Sequence, residues 1–239
     1  MILWILLASF SVIILGLIII NTKVNGGFKI EASWIAIALA PAVIWLLATG
    51  QLSGFTGFGI EFKLKEASAK PFSLSLEGDK IKPAFVSLGE KGGIGNIPEL
   101  IRNRVAALAL QLNRRNYYAN WAIMQYLEEL TQHDFFRYVV FIGTDGEFRG
   151  ITQPDQLLNQ MRNQNLDLVN VIEEGAIDRL SGVTTVSIST NSSKREALKK
   201  MDEQKLSDLP VLNDASEFIG IVERDKLTSS ILLQLISQL

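Results

Sequence analysis

The side chains that catalysis or metal binding would need are sparse in this chain. It has one histidine, His133, and no cysteine, whereas zinc sites take several His or Cys ligands at characteristic spacing. The adjacent acids Glu128-Glu129 and Glu173-Glu174 point in different directions on a helix, so neither pair forms a two-carboxylate site. Because a nucleophile, a base and a stabilising group would have to converge in one pocket, the sequence predicts neither an active site nor a metal site.

An internal repeat with an offset of 70 residues is the most informative pattern in the sequence. The segment Gly150–Leu157 reads GITQPDQL, and the segment Gly220–Leu227 reads GIVERDKL. The match continues backwards without a gap, as far as Phe141-Ile142 over Val211-Leu212. Such a repeat predicts one supersecondary unit built twice, with the two copies packed together. Each copy is predicted as an amphipathic helix, an apolar strand, a turn, a second apolar strand and another helix.

These residues resemble a CBS-domain pair, also called a Bateman module. In that family a Leu-Pro-Val strand, a polar turn and a Gly-Ile-Val strand lead into the last helix of each half. The second copy, Leu209–Val222, follows this pattern closely, and the first copy, Tyr138–Thr152, follows it without the proline. The resemblance covers about residues 116–239 and implies an α/β (α+β) fold built as a tandem pair with a pseudo-two-fold repeat. It also implies a non-enzymatic protein without a resident cofactor.

In nucleotide-binding CBS pairs, the family pattern is a glycine, two residues, Thr or Ser, two residues, and Asp. The hydroxyl holds phosphate and the carboxylate holds ribose. Both copies depart from this pattern, since the corresponding positions are Gln153 and Gln156 in the first copy and Glu223 and Lys226 in the second. An acid at the phosphate position would repel an anion unless a neighbouring cation offsets it.

The candidate ligand-binding residues are therefore the nearest substitutes in each copy. They are Thr152 and Asp155 in the first copy, and Arg224 and Asp225 in the second. The ligand that the resemblance implies for them is an adenine nucleotide. A structural alternative stays open, in which Asp155 caps a helix beginning at Gln156 and Asp225 caps the equivalent helix.

The first fifty residues are predicted to form a transmembrane helical hairpin, 1–50. Met1–Ile20 contains no charged residue and neither does Ala32–Ile60, while an α-helix needs about 20 apolar residues to cross the hydrocarbon core. A cleaved signal peptide would need a basic start and small residues at the cleavage site, and neither is present. We therefore expect a retained anchor in membrane lipid. The CBS resemblance places it in a bacterial-type inner membrane with the C-terminal domain cytoplasmic.

Residues 51–96 are predicted to be a β-rich connector. Apolar and polar residues alternate at Ile60–Lys65 and at Phe72–Leu76, which is the period of a half-buried strand, and Phe85–Leu88 predicts a third strand. Three short strands are few for an independent core, so we expect them to pack on the CBS pair or on another subunit.

The CBS pair is predicted over 97–239, with its repeats at about 116–163 and 183–239. A helix is predicted from Pro98, with Ile101, Val105, Leu108 and Leu112 on one face. A second helix is predicted over Asn120–Leu130, with Trp121, Met124, Leu127 and Leu130 on its buried side. In the second copy, Ser192 or Ser193 is predicted to cap the equivalent helix, whose inward residues would be Ala197, Leu198 and Met201.

The net charge of −2 and the absence of a basic stripe argue against nucleic acid as a partner, because such binding neutralises phosphates. The favoured function is a membrane-anchored CBS protein that senses a cytosolic ligand and regulates a membrane-protein partner or its own assembly. The alternative is a ligand-free CBS scaffold that oligomerises with further copies of itself and clusters membrane helices or forms a membrane effector assembly.

Overall fold

The computed structural model describes residues 66–86 and 93–237. They divide into two compact units, which we call the sheet unit (73–86, 93–192 and 208–223) and the helical unit (66–72, 193–207 and 224–237). The predicted membrane hairpin, 1–50, and the strand predicted at Ile60–Lys65 lie outside the described residues. Within the described part of the chain, no helix has both the length and the apolar character needed to span a membrane.

The sheet unit contains two four-stranded sheets. Its strands are β1 (Gly78–Lys80), β2 (Ala84–Phe85), β3 (Ala107–Gln111), β4 (Tyr138–Ile142), β5 (Phe148–Thr152), β6 (Ile188–Ser189), β7 (Asp208–Leu212) and β8 (Phe218–Glu223). The first sheet has the order β2-β3-β4-β5 and the second has the order β1-β8-β7-β6. Two short strands of the predicted connector thus extend the two sheets, with β2 parallel to β3 and β1 antiparallel to β8.

Seven α-helices are described along the chain. They are α1 (Leu74–Glu77), α2 (Ile97–Arg102), α3 (Asn120–Leu130), α4 (Pro154–Asn163), α5 (Leu168–Glu174), α6 (Lys194–Glu203) and α7 (Arg224–Ser237). The first five belong to the sheet unit, and α6 and α7 belong to the helical unit.

The predicted repeat is confirmed at the level of strand register. In the first copy, β3 runs parallel to β4 and β4 forms an antiparallel hairpin with β5; in the second, β6, β7 and β8 pair in the same way. Both hairpins shift register at the same place, where Ile142 pairs with Phe148 and Leu212 pairs with Phe218. Since these positions differ by the 70-residue offset of the repeat, the two copies share one topology and one β-bulge.

Alternation along β4 divides its buried side chains between two apolar clusters. Val139 and Phe141 belong to the core formed with α3, α4 and α5. Tyr138, Val140 and Ile142 belong to a second cluster, which also contains residues of β8. On β3 the leucines lie in the first cluster and the alanines, Ala107 and Ala109, in the second, so small residues line the layer shared by the two sheets.

Two predicted elements are wrong. The helix predicted from Pro98 to Leu112 ends at Arg102, after which Arg104 has a positive φ of 49°, and Ala107–Gln111 is the buried strand β3. Pairing with β4 overrides the good helix propensity of its Ala and Leu residues. The alternation at Phe72–Leu76 gives the short helix α1, where Glu77 Oε2 accepts a hydrogen bond of 2.6 Å from the Ser73 amide.

The helix predicted over Asn120–Leu130 is confirmed with those bounds, and its buried face is in part the predicted one, since Leu127 and Leu130 are buried and Met124 packs against the same core. Trp121 is 58% exposed, whereas Ile123, Tyr126, Leu127 and Leu130 are fully buried. These four positions follow the i, i+3, i+4, i+7 spacing of one helix face. The prediction was wrong for Trp121, which lies on the solvent side of this face.

The helical unit begins its α6 with the predicted serine. Ser193 accepts a hydrogen bond of 3.2 Å from the Glu196 amide, and Glu196 Oε2 accepts one of 2.8 Å from the Ser193 amide, which together form a capping box. Ala197 and Met201 are buried as predicted, and Leu198 packs with Ile231 of α7.

Candidate functional site

Asp155 lies in the first turn of α4. The helix begins at Pro154 with Gln153 as its N-cap, so the alternative in which Asp155 caps a helix starting at Gln156 is wrong. The Asp155 side chain is exposed and makes no hydrogen bond or ion pair with the described residues. A carboxylate at this place interacts favourably with the partial positive charge of the helix N-terminus. It also keeps both oxygens available to an external donor.

Thr152, at the end of β5, is 3% exposed and already has a partner. Its hydroxyl donates a hydrogen bond of 3.2 Å to the carbonyl oxygen of Gly182. The backbones of Ile151 and Thr184 exchange two further hydrogen bonds, of 2.9 and 2.8 Å. The segment Ser181–Thr184, which leads into the second copy and which we call the linker segment, therefore lies against the end of β5 and engages the Thr152 hydroxyl.

The linker segment is also held by α4. The buried side-chain amide of Gln160 donates a hydrogen bond of 2.9 Å to the Ser181 carbonyl oxygen and accepts one of 3.0 Å from the Ser181 amide. Gln160 is 4% exposed, so losing this partner would leave a buried polar group unsatisfied, at a cost of about 1–3 kcal/mol.

Arg224 and Asp225 open α7 in the helical unit. Arg224 donates from Nε and Nη2 to the Leu206 carbonyl oxygen, at 3.3 and 3.0 Å, and its Nη1 lies 3.7 Å from Asp202 Oδ1. The guanidinium is thus attached to the C-terminal end of α6. Asp225 is exposed without a described partner, and because the helix already includes it, the prediction that it caps α7 is wrong.

An ion-pair cluster in the sheet unit was missed by the sequence reasoning. Arg137, just before β4, contacts Asp79 of β1 and lies 3.4 Å from Glu223 Oε1 at the end of β8. We call these three residues the Arg137 cluster. Their side chains are 38%, 38% and 21% exposed. No pattern could have found the cluster, because its members come from three segments that only the sheet pairing brings together.

The surroundings of the Arg137 cluster shift two pKa values. Burial alone would lower the pKa of Arg137, but its hydrogen bonds to Asp79 and Glu223 and its Coulombic interactions with Tyr138 and Asp79 outweigh burial and raise it. Burial, together with the negative charge of Asp208, raises the pKa of Tyr138 to about 12. Arg137 also lies 5.3 Å from the centroid of the Tyr138 ring, as a cation–π contact. The guanidinium stays charged and the phenol stays neutral across the physiological range.

Among the residues that the structure describes, no group of three or more His, Cys, Asp or Glu side chains is arranged to hold a metal ion. The single histidine, His133, lies in the turn after α3 and stacks on Phe135 with ring centroids 5.1 Å apart.

Comparison with protein-family models gives one match. Residues 183–233 match the model named "CBS domain". The second copy is a CBS domain. Because the first copy repeats its strand order, its register and its bulge, the chain carries a CBS-domain pair with two four-stranded sheets, which confirms the fold predicted for this part. No curated protein matches the chain.

Solved structures of similar proteins include three CBS modules. One is a CBS domain pair/ACT domain protein from Thermotoga maritima, with 16% identity, a TM-score of 0.34 and coverage of 52% of this chain and 88% of that one. Another is the CBS domain of a CBS domain containing membrane protein from Sphaerobacter thermophilus, with 12% identity, a TM-score of 0.37 and coverage of 70% and 91%. The third is a CBS domain pair in complex with 5′-methylthioadenosine and S-adenosyl-L-methionine, with 16% identity, a TM-score of 0.35 and coverage of 54% and 96%.

In this CBS pair, the four candidate ligand-binding residues thus divide into two kinds. Thr152 and Arg224 are engaged by backbone carbonyl groups of the protein itself. Asp155 and Asp225 are exposed at equivalent places in the repeat, each in the first turn of the helix that follows a hairpin. Asp155 and Asp225 are therefore the candidate residues whose carboxylate oxygens are exposed to solvent and have no hydrogen-bond partner among the described residues.

Proposed function

We propose that this chain is a non-enzymatic regulatory protein whose CBS pair senses an adenine nucleotide and whose predicted hairpin, 1–50, anchors it in a membrane. The observation that carries the proposal is the pair of equivalent aspartates, Asp155 and Asp225, exposed and without described partners. A carboxylate accepts hydrogen bonds from ribose hydroxyl groups, as acidic residues do in dinucleotide-binding folds.

Regulation follows from the way a paired module responds to a ligand. A ligand shifts an equilibrium between two arrangements only through its different affinity for them. A nucleotide held by one aspartate would favour one arrangement of the pair, and the chain between the pair and the predicted hairpin would transmit that preference to a membrane-protein partner or to the protein's own assembly.

The proposal is tested by the thermal stability of the full-length protein in detergent with millimolar AMP, ADP, ATP or S-adenosylmethionine. A ligand at about 100 times its Kd adds about 2.7 kcal/mol to the free energy of unfolding. We expect at least one of these compounds to raise Tm by several degrees. Absence of a shift with all four would overturn nucleotide sensing.

Matched variants locate the binding site. Because a hydrogen bond to a charged group contributes about 1.5–3 kcal/mol, we expect Asp155→Asn or Asp225→Asn to weaken nucleotide affinity by about tenfold to a hundredfold. Asp178→Asn is the control, since Asp178 is an exposed acid in the first turn of a short 3₁₀ helix. If the three variants bind alike, the aspartates are not the site.

A second function, a ligand-free oligomerisation scaffold, is favoured by one observation. The Thr152 hydroxyl and the Glu223 carboxylate, which lie near the places where the resemblance puts phosphate, are bound within the protein. For a scaffold we expect an oligomer in detergent by light scattering, with the same molar mass with and without nucleotide. A monomer at micromolar concentration contradicts the scaffold.

The membrane orientation is part of the proposal and has a direct test. The chain contains no cysteine, so single cysteines report accessibility without background. We expect a membrane-impermeant maleimide to label Lys23→Cys, in the predicted hairpin loop, on intact bacterial cells. Gln132→Cys, at an exposed turn of the CBS pair, should be labelled only after lysis. The reverse pattern would place the CBS pair outside the cytoplasm.

A further inference from the structure

The outer strands of the two hairpins are covered by different segments at equivalent places. In the second copy, Asp79 of β1 lies opposite Ile221 of β8 in an antiparallel pair. In the first copy, Thr184 of the linker segment lies opposite Ile151 of β5. Ile151 and Ile221 are equivalent through the 70-residue offset. The segment before the first copy therefore covers the second copy, and the segment before the second copy covers the first.

The two covering segments are held by different forces. The linker segment is held by the buried Gln160 and by Thr152, through neutral hydrogen bonds. β1 is instead held in part by the ion pair between Asp79 and Arg137, both 38% exposed. Ion pairs of this exposure contribute little to stability and weaken as salt screens them.

Besides this ion pair, β1 is held by its antiparallel pairing with β8 over three positions and by Ile81, which follows it and is buried in the second apolar cluster. The strand has three residues, lies at the edge of its sheet, and has glycine at its first position. Gly220 of β8 also faces it, and a methyl group on Gly220 would overlap with the Asp79 carbonyl oxygen. Strands this short with glycine at the contact have few side-chain contacts to lose when they separate.

Arg137 remains paired when β1 leaves. Its guanidinium also contacts Glu223, and its amide donates a hydrogen bond of 2.9 Å to the Ala106 carbonyl oxygen within the first copy. The two copies thus stay joined through Arg137 and Glu223 whether or not Asp79 is in place. A segment that can leave without breaking the contact between the two copies is what a switching element needs.

We propose that β1 is a detachable strap on the second CBS copy and that Arg137 is the positioning residue that holds it. β1 lies in the chain between the predicted membrane hairpin and the CBS pair, so docking joins the N-terminal part to the second copy and release separates them. The proposal goes beyond nucleotide sensing, because the strap depends on charges that are present without any ligand.

Hydrogen exchange of the full-length protein in detergent, read by mass spectrometry, tests the strap. The reporter is a peptide over Gly78–Ile81, since the Ile81 amide donates to the Ile219 carbonyl oxygen at 3.1 Å. We expect Arg137→Gln and Asp79→Asn each to speed exchange there by roughly twofold to fivefold, the range that a partly exposed ion pair allows. Sodium chloride at about 1 M should speed exchange of this peptide in the unsubstituted protein, because salt screens the ion pair. It should not speed exchange in either variant, since neither has the ion pair.

Arg149→Gln is the control, because Arg149 has a similar exposure and pairs with Asp145 and Glu147 away from β1. It should leave the reporter peptide unchanged. Arg137→Lys keeps the charge and should restore most of the protection. Unchanged exchange in both Arg137→Gln and Asp79→Asn would overturn the strap, and so would an equal acceleration at β3, which would mean that the whole sheet unit loosens. Since the test contains no nucleotide, its outcome is independent of the test of nucleotide sensing.

Discussion

The first and second copies of the repeat have the same strand pairing but different chemistry at their ends. Both shift register between the residue pairs 141/142 and 211/212. At the start of the equivalent strands, however, Arg137 and Tyr138 stand where the second copy has Ser207 and Asp208. The first copy thus supplies the cation, the second copy supplies the acids Asp208 and Glu223, and β1 supplies Asp79. Duplication preserved the backbone, while substitutions at the strand ends made the two copies complementary.

The copies also differ at the last position of β5 and at the equivalent position of β8. Thr152 donates to the linker segment, while Val222, its equivalent, is an apolar residue with no exposed surface. A hydroxyl group is therefore available to hold a covering segment in the first copy and not in the second, where the Arg137 cluster does this instead. Substitutions at equivalent positions should therefore change the stability of the protein by different amounts in the two copies.

The largest expected effect comes from the cores of the two hairpins. Phe141→Ala should lower the free energy of unfolding by about 3–5 kcal/mol, because Phe141 is fully buried and its removal leaves a cavity. Val211→Ala, at the equivalent position, removes two methyl groups and should cost about 1.5 kcal/mol. Urea unfolding of both variants checks this, and equal losses would mean that the first core relaxes around the cavity.

The glycines at equivalent strand positions should respond unequally. An added methyl at Gly150 would meet the Val183 Cγ1 at 2.8 Å, a side-chain atom that can rotate away, whereas at Gly220 it would meet the Asp79 backbone. Overpacking costs about 1–3 kcal/mol, so we expect Gly220→Ala near the upper end and Gly150→Ala near the lower. Urea unfolding measures the difference, and a greater loss for Gly150→Ala would contradict it.

Helix capping gives a smaller effect. Ser193→Ala should cost about 1 kcal/mol, because it removes the acceptor for the Glu196 amide. Ser192→Ala, one residue earlier and outside the capping box, serves as the control and should cost less. The first copy has no such cap, since Ala119 precedes α3, and Ala119→Ser should stabilise by a few tenths of a kcal/mol to about 1. Thermal unfolding of the three variants checks the order.

The last effect is absent at physiological pH and appears only at alkaline pH. The pKa of Tyr138 is raised to about 12 in the folded protein, so between pH 10 and 12 the folded state binds more protons than the unfolded state. Its contribution is complete below pH 10 and is lost as pH rises through 12. The unsubstituted protein should therefore lose stability over this range relative to Tyr138→Phe. Parallel curves for urea unfolding against pH would show that Tyr138 ionises normally.

The sequence predicted the fold of the CBS pair mainly within the two copies of the repeat. The hairpins at residues 138–152 and 208–223, the helix Asn120–Leu130 and the Ser193 cap follow from patterns within each copy. Strand β3 was not predicted from the sequence, because its alternating Ala and Leu residues are compatible with either a helix or a strand. Its pairing with β4 decides between them, and nothing within its own five residues does.

The candidate site was accessible only in part. Asp155 and Asp225 were found because the repeat places them at equivalent positions, but the sequence allowed both a cap and a ligand role. The helix starts at Pro154 and Arg224 exclude the cap. The partners of Thr152 and Arg224 depend on where the linker segment and the end of α6 lie, which local patterns do not encode.

The amino-acid sequence by itself determined the repeat, its offset and the alternation of apolar residues, because these depend on neighbours a few positions apart. Only the tertiary structure decided which segment covers each hairpin and which charges meet. Asp79, Arg137 and Glu223 are far apart in the chain, and the free energy that brings them together comes from burying the apolar layer shared by the two sheets. Their own attraction, at the exposure they have, is too weak to specify the meeting.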